Sequence, residues 1–547
     1  MKFLSPVNEN ASQGVGSASH KERNKKTLKS GAGILAVGGI VAKVLGALYR
    51  IPLTNVLGAE GMGLYQLVFP VYAFFMILST VGIPTALSRI VAEERARGGE
   101  AKKYLFACML TLLTLSTVGA ALVFVLAKQI ATIQGNALAY KGFWIIAPSL
   151  VFVGAIAGFR GWFQGEMYMI PTAVSNILEQ IVKLGVGLSL SIVFMKRGVV
   201  YAVYGALVGV TISEFVTLVY MFLTYAVRSR RMPRERLRIT KAEGASVFRV
   251  AFPIAIVSVL LPLANFFDSI IIVNMLRLFG LSKAVATSQY GLLSGPVNSL
   301  VNVPVVITLA LAIAIVPSVS ASRVERDVDA ILKKSRISIK LTYLLGIPFA
   351  IFFVVFAEKL VGAIYPRLGE EQLRLTANLL RICAFNVVTL SSMQIYVSLI
   401  QAVDKTKTAV LSLVCAIIIK TILQITLTRF MGVLGAAIAS ASMGAIALIL
   451  LVINYFKICG LHLEKNVGKN LISGVIMGIT GVTAVTAISN DILAIVVGAV
   501  VTGCVYLWTV FLFGLVGQEE IEFLPLKGLL GKIHRIVRFW EYKDVGF

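Results

Sequence analysis

Along this chain, apolar runs long enough to cross a bilayer alternate with short connections where Gly, Pro and charged residues collect. A crossing helix needs about 20 predominantly apolar residues. The pattern predicts fourteen, over 30–51, 64–92, 104–127, 139–163, 170–195, 199–226, 247–276, 285–320, 337–357, 375–402, 408–428, 433–456, 470–489 and 492–516. They use almost the whole chain, so the expected fold class is an all-α polytopic membrane protein.

The pattern also repeats. "QGEMYMIPTAVSNILEQIVK" (164–183) has the same length as "QAVDKTKTAVLSLVCAIIIK" (401–420), with Thr-Ala-Val near the middle of each. "YGALVGVTISEF" (204–215) answers "LGAAIASASMGA" (434–445), and "LYQLVFPV" (64–71) answers "QYGLLSGPV" (289–297). Helices 1–6 and 7–12 therefore read as two copies. Six helices is an even number, so the copies share one orientation, as in parallel-repeat transporters with a site between the repeats. The expected organisation is a polar and basic tail over 1–27, a six-helix lobe over 28–226, a basic linker over 227–246, a second lobe over 247–457, an extra helix pair over 468–516 and a basic tail over 517–547.

Composition fixes the solvent and charge fixes the orientation. Of 547 residues, 58% are hydrophobic and 14% charged, with a mean hydropathy of +0.87. The net charge of +25 is unevenly spread. With the N-terminal tail on the inner side, more than twice as many Lys and Arg fall on inner connections as on outer ones, as the positive-inside rule requires. The segment "VRSRRMPRERLRITK" (227–241) then faces the cytoplasm and touches anionic lipid head groups. The basic balance is thus accounted for without nucleic acid. No cleavable signal is expected, since the first apolar run is too long and lacks a small-residue cleavage site. The expected location is the plasma membrane, multi-pass, with both termini cytoplasmic.

Charged residues inside the spans change the picture again. A cation at mid-membrane costs at least about 2.5–3.5 kcal/mol, so it faces a partner or a water-filled cavity. Lys43 and Arg50 lie seven residues apart with Gly46 between, on one face of helix 1; Arg50, nearer the end, is also placed to snorkel. Lys183 and Lys420 are repeat mates deep in helices 5 and 11. Helix 5 adds Asn176, Glu179 and Gln180, with Glu179 set to pair Lys183, either as a structural clasp or within a binding site. Helix 7 offers Ser258, Asn265 and Asp268, and helix 8 offers Tyr290, Ser294, Asn298 and Asn302 at successive steps of four. Arg160 and Glu214 complete the set. The first two helices of each copy are the most interrupted, by Gly38, Gly39, Gly46, Pro52, Pro70 and Pro84 and by Pro253, Pro262, Pro296, Pro304 and Pro317, the mark of a binding region at the repeat interface.

Several chemistries are excluded. No GxxxxGK[ST] phosphate loop occurs, and "GLLGKIHR" (528–535) lacks its spacing, so ATP hydrolysis by this chain is not expected. The five cysteines (108, 383, 415, 459, 504) and three histidines (20, 462, 534) have no metal-ligand spacing. Short outer connections leave little room for an outward-facing catalytic domain, so the chain reads as no enzyme and needs no cofactor; coupling to the membrane potential, or to a monovalent cation at Asp268 with Asn265, is compatible with the pattern.

The stretch "AKVLGALYRIPLTNVLGAEGMGLYQLVFPVYAFFMILSTVGIPTALSRIVAEERARG" (42–98) resembles the opening helix pair of the stage V sporulation protein B group of polysaccharide transporters, close to the lipid II flippases of the multidrug/oligosaccharidyl-lipid/polysaccharide superfamily. Lys43 in "AKVLG" stands where those flippases carry an arginine in a similar "RVLG", and Arg50 is one place removed from their second. Helices 2 and 8 lack the arginines those flippases use. The resemblance implies two six-helix lobes around a central, largely cationic cavity of alternating opening, with a terminal helix pair grooved for a polyprenyl tail. Its expected substrate is a polyprenyl-diphosphate-linked sugar, a lipid II-like or polysaccharide precursor moved from inner to outer leaflet, with membrane lipids and cell-wall synthesis proteins as partners. Expected cavity residues are Lys43, Arg50, Arg160, Glu179, Lys183, Asn265, Asp268, Asn298, Asn302 and Lys420. Cations there would offset the cost of desolvating two phosphates. The alternatives are a multidrug or organic-cation exporter of the same superfamily, or a non-transporting scaffold for envelope or spore assembly.

Overall fold

Gly58 turns the chain back on itself. The first helix, α1 (Ala18–Thr80), is interrupted there by a residue at φ +66°, a conformation open to glycine. A straight helix would separate positions 50 and 69 by about 28 Å, at ~1.5 Å per residue. Instead the Arg50 guanidinium lies 5.6 Å from the centroid of the Phe69 ring, so α1 is a hairpin of two arms. Among the described residues thirteen stretches are long and apolar enough to span a bilayer, the first being the 64-residue Gly33–Ala96. Folded at Gly58, it supplies two crossings, and the total matches the fourteen expected.

The computed structural model describes residues 18–80, 82–230, 241–325, 327–460 and 466–516, and these contain no strand. Most of the tail at 1–27, the centre of the linker at 231–240, the tail at 517–547, and His462 and His534 lie outside the described residues. After α1 come α2 (Ile83–Ala96), α3 (Lys102–Val125), the short α4 (Ala127–Ile133), α5 (Tyr140–Gly165), α6 (Ile170–Val182), α7 (Leu188–Met195) and α8 (Val199–Ser229). The second half comprises α9 (Lys241–Leu278), α10 (Lys283–Leu292), α11 (Asn298–Val324), α12 (Val328–Ile364), α13 (Glu370–Cys383), α14 (Phe385–Ala402), α15 (Thr406–Met431) and α16 (Val433–Cys459); α17 (Val467–Ala487) and α18 (Asp491–Leu512) close the chain. Side chains start several of them: Ser282, Asp327 and Asn490 accept from the backbone N–H groups of Val285, Ala330 and Leu493.

Several predicted helices differ from expectation: the one predicted over 64–92 breaks at Gly82, at φ +88°, into the second arm of α1 and α2. The span predicted over 375–402 breaks at Ala384 into α13 and α14, and the one predicted over 337–357 extends to the 37 residues of α12. At about 55 Å, α12 is longer than a bilayer with its head groups. Hydropathy could not show either of the last two features: apolar residues run through 375–402, and the N-terminal turns of α12 carry Asp329, Lys333, Lys334 and Arg336 and so lie outside an apolar run.

In the first lobe α1 packs on α5, α6 and α8, and α5 on α3 and α8; in the second, α9 packs on α15, α11 on α12 and α14, and α16 on α14 and α15. Helices α17 and α18 pair and lean on α12. The hairpin α1 crosses to α9, α10 and α11, and α2 also reaches α9, joining the lobes.

Candidate substrate cavity

The lobes are pressed together at the end of the bundle that carries Gly58. A Cβ on Gly291 would run into the carbonyl oxygen of Ala59 and the backbone nitrogen of Gly63, and one on Gly63 into the carbonyl of Thr287, so α1 and α10 cross in backbone contact. Polar side chains seal the seam. Gln66 Nε2 donates to the Ser294 carbonyl, and Tyr290 Oη donates to the Gln66 carbonyl at 3.1 Å. Gln134 Nε2 reaches Ser269 Oγ at 2.8 Å, Asn136 Nδ2 reaches Thr287 Oγ1 at 3.0 Å, and Asn55 Nδ2 reaches the Ile364 carbonyl at 2.8 Å. A cavity of about 540 Å³ opens beside this seam, lined in part by Asn55, Glu60, Ser288, Arg367 and Gln372.

Away from the seam the lobes part on one side only, since Phe74 on the second arm of α1 stacks on Phe266 of α9 and α2 also packs on α9. On α9 one face passes from buried Leu276 and Ile272, through half-buried Asp268, to exposed Asn265 and Leu261. The face of α10 and α11 that meets lobe one does the same, from buried Gly291 and Gly295 through half-buried Asn298 to exposed Asn302. Both faces come out of contact at matching depths, which defines an opening between the lobes away from the Gly58 end. Asn302 Nδ2 donates to the Asn298 carbonyl at 2.7 Å, and Asn265 makes no hydrogen bond among the described residues.

Helix α1 lines the same opening. Its exposed apolar stripe is Val37, Val41, Val44 and Leu48, and its packed stripe is Gly38, Ala42 and Tyr49. Lys43 and Arg50 lie on the flank between them, with Gly39, whose Cβ position has no neighbour within 4 Å. Lys43 is exposed and Arg50 half-buried; neither pairs with a carboxylate among the described residues, and Arg50 covers the Phe69 ring.

The deeper charges form two clusters, one per lobe. In the first, Glu179 on α6 is shared: its Oε2 lies 3.3 Å from Arg160 Nη2 and its Oε1 3.3 Å from Lys183 Nζ. Gln180 Nε2 also donates to Glu179 Oε1 at 3.0 Å. Arg160 Nε donates to Ser175 Oγ at 3.0 Å, and Ser175 Oγ donates to the Thr172 carbonyl at 2.8 Å. Lys183 opens a π-helical turn, Lys183–Gly187, which joins α6 to α7; a second, Leu293–Val297, joins α10 to α11. Such turns are rare and gather at functional sites. Glu214 is buried on α8 and accepts from Tyr72 Oη at 3.4 Å. In the second cluster Lys420 on α15 pairs one-to-one with Asp268 on α9.

The structure thus unites Arg160, Glu179 and Lys183, unites Asp268 and Lys420, and sets Lys43, Arg50, Asn265 and Asn302 along the opening. The sequence offers Arg160 as a cavity residue without a partner; that partner is nineteen residues away on another helix, a spacing no periodicity reveals. The seam residues Gln66, Gln134 and Asn136 went unnoticed. Gln66 is an isolated amide in apolar surroundings, whereas Gln134 and Asn136 flank Gly135 in the connection between two predicted helices, where polar residues are ordinary. Among the described residues no group of His, Cys, Asp and Glu could hold a metal ion.

A bundle of two pressed lobes with charged residues facing an opening between them defines a multi-pass membrane transporter of the multidrug/oligosaccharidyl-lipid/polysaccharide superfamily. The chain belongs to the polysaccharide biosynthesis protein family, whose model matches residues 28–323, and the MatE model matches residues 253–426. It is similar to stage V sporulation protein B of Bacillus subtilis (strain 168), at 24% identity over 519 residues, covering 92% of this chain and 99% of that one. It is similar also to the lipid II flippase MurJ of the same organism, at 27% identity, covering 77% and 81%. Among solved structures, lipid II flippase MurJ in an inward closed conformation superposes with a TM-score of 0.71 at 14% identity, over 88% of this chain and 98% of that one. An inward-facing multidrug resistance MATE transporter superposes at 0.62 with 16% identity, over 76% and 95%.

Proposed function

We propose that this protein is a flippase that carries a polyprenyl-diphosphate-linked sugar, lipid II or a related wall or polysaccharide precursor, from the inner to the outer leaflet by alternating access. The observation that carries the reading is the set of cations in and beside the first lobe: Arg160 and Lys183 share the Glu179 carboxylate, and Lys43 and Arg50 line the opening without one. That surplus suits an anionic head group, since charge-assisted bonds to phosphate strengthen where water is scarce. In this reading the Gly58 end is the outer end, shut by the seam, and the opening faces the cytoplasm, with both termini cytoplasmic. Two named relatives, a lipid II flippase and a sporulation protein, support the substrate class. Movement of an anion outward from a negative interior is also favoured, by about 2.3 kcal/mol per charge per 100 mV.

The MatE match over the second lobe favours a second reading, export of an organic cation. It would call for surplus carboxylate at the opening, whereas Asp268 is taken up by Lys420 and Glu179 by two cations. The deciding experiment depletes the resident lipid II flippase of a Bacillus cell and expresses this chain. Restored growth supports lipid II as substrate. Failure to restore growth, together with export of a cationic dye, would overturn the flippase reading.

A further inference from the structure

The Glu179 carboxylate has an arrangement that a structural clasp does not need. It receives two cations from two helices, Arg160 from α5 and Lys183 from α6, and one carboxylate cannot balance both. Both separations are 3.3 Å, against about 2.7–2.9 Å for a well-formed charge-assisted bond. Arg160 commits its Nε–H to Ser175 and one Nη2–H to Glu179, and Lys183 donates to Glu179 alone among the described residues. An arginine has five N–H donors and a lysine three, so most of the donor capacity of the pair is unspent. Glu214, the other buried carboxylate in this lobe, accepts from Tyr72 and acts on Arg160 and Lys183 only through space, with no ion pair to either among the described residues. The cluster keeps a share of its surface open, 21% for Arg160 and 16% for Glu179.

We propose that Glu179 is a place-holder anion: it holds Arg160 and Lys183 in the empty cavity, yields them to the phosphate of an arriving substrate, and reclaims them when the substrate leaves. This rests on the flippase reading above and adds to it the residue that sets how tightly the head group is held. Two mid-membrane cations with no anion would be costly in the empty transporter, and Glu179 removes that cost. A diphosphate offers more acceptor oxygens than a carboxylate and can meet the guanidinium fork with two parallel bonds, so exchange is favourable although Glu179 competes. Ser175 is the positioning residue. It fixes Arg160 through Nε while the outer nitrogens change partner. The Lys420–Asp268 pair is one-to-one and carries no surplus, so the exchange belongs to the first lobe.

The test measures binding of farnesyl diphosphate, and separately of inorganic pyrophosphate, to purified full-length protein in nanodiscs, alongside flipping of a fluorescent lipid-linked diphosphate sugar in proteoliposomes. Glu179→Gln keeps the shape and removes the charge. It should bind both probes about tenfold tighter, equivalent to about 1.4 kcal/mol, while flipping slows because release loses its driving partner. Glu179→Asp keeps the charge, reaches less far, and should fall between wild type and Glu179→Gln; it serves if Glu179→Gln does not fold. Arg160→Ala and Lys183→Ala should weaken both probes. If wild type binds farnesyl diphosphate and neither Glu179 variant binds it more tightly, the place-holder role is overturned and the flippase reading stands. If wild type binds neither probe and flips no diphosphate lipid, both are overturned.

Discussion

Half-buried Asp268 on α9 and buried Lys420 on α15, 152 residues apart in sequence, form an ion pair that ties two helices of the second lobe. Lys420 was expected to be a diphosphate ligand like its repeat mate Lys183. The pairing changes what its removal does. Lys420→Ala strands a carboxylate and Asp268→Ala strands an ammonium, so each alone should cost about 3–5 kcal/mol. The double change leaves nothing unpaired and should cost much less than the sum of the two. Thermal unfolding of the four proteins in detergent measures the cycle, and additive losses would show that the pair is not the bond between α9 and α15. A coupling cation at Asp268 would have to displace Lys420, so sodium should not stabilise the wild type in the same assay.

The crossing of α1 and α10 predicts how the seam opens. At Gly63 and Gly291 no side chain fits without moving backbone, because each Cβ would meet main-chain atoms of the other helix. Overpacking of this kind costs about 1–3 kcal/mol or more, and it is paid only while the Gly58 end is shut. Gly291→Val should therefore shift the protein toward a state with that end open. Spin labels at positions 60 and 372, which line the cavity beside the seam, should move from one short distance to a longer, broader distribution. An unchanged distance in a folded variant would mean that the close approach does not hold the end shut.

Much of this was legible in the sequence, for identifiable reasons. Length and hydropathy give a helix wherever lipid demands internally satisfied backbone, so the boundaries of α6 with α7 at 170–195 and of α16 near 433–456 were readable to within a few residues. The Glu179–Lys183 pair was readable because a spacing of four is a local property of a helix. Arg160 with Glu179, and Asp268 with Lys420, were not, since which helix faces which is decided by packing. The Gly58 hairpin was readable as a break between two spans. The π-turn at Lys183 was not, because inserting one residue into a helix leaves no mark on an apolar pattern.

Orientation has its own test. Helix α8 starts beside the Gly58 end, where Val199 lines the cavity, and runs 31 residues to Ser229, about 45 Å along its axis. Gly369 lies two residues from Arg367, whose Nη1 donates to the Asn55 carbonyl at 3.4 Å at that same end. Cysteines at Ser229 and Gly369, in a background free of the five native cysteines, should react with a membrane-impermeant reagent from opposite sides: position 369 in intact cells, position 229 only after lysis. Labelling of both from one side would overturn the topology, and labelling in the reverse order would place the Gly58 end in the cytoplasm.

The helix pair α17 and α18 is attached by packing that lipid can replace. Gly474 meets Ile347 and Ile351, Gly498 meets Phe356, and Tyr506 Oη donates to the Leu344 carbonyl at 3.0 Å. The outward face carries exposed Ile472, Val475, Ile479, Val482, Val496 and Val500. Lipid tails are as apolar as these side chains, so stripping the pair from α12 exposes no surface that water would penalise. Deletion of residues 468–516 should leave a monodisperse twelve-helix protein, with one ion pair lost between Lys359 and Asp491. If the pair guides the polyprenyl tail, that protein should still bind a head group on a farnesyl chain but flip the full-length lipid at least about tenfold more slowly, a barrier increase of about 1.4 kcal/mol. Flipping of both lipids at the wild-type rate, at matched reconstitution, would remove the tail-groove role and leave α17 and α18 as a lipid-facing buttress of α12.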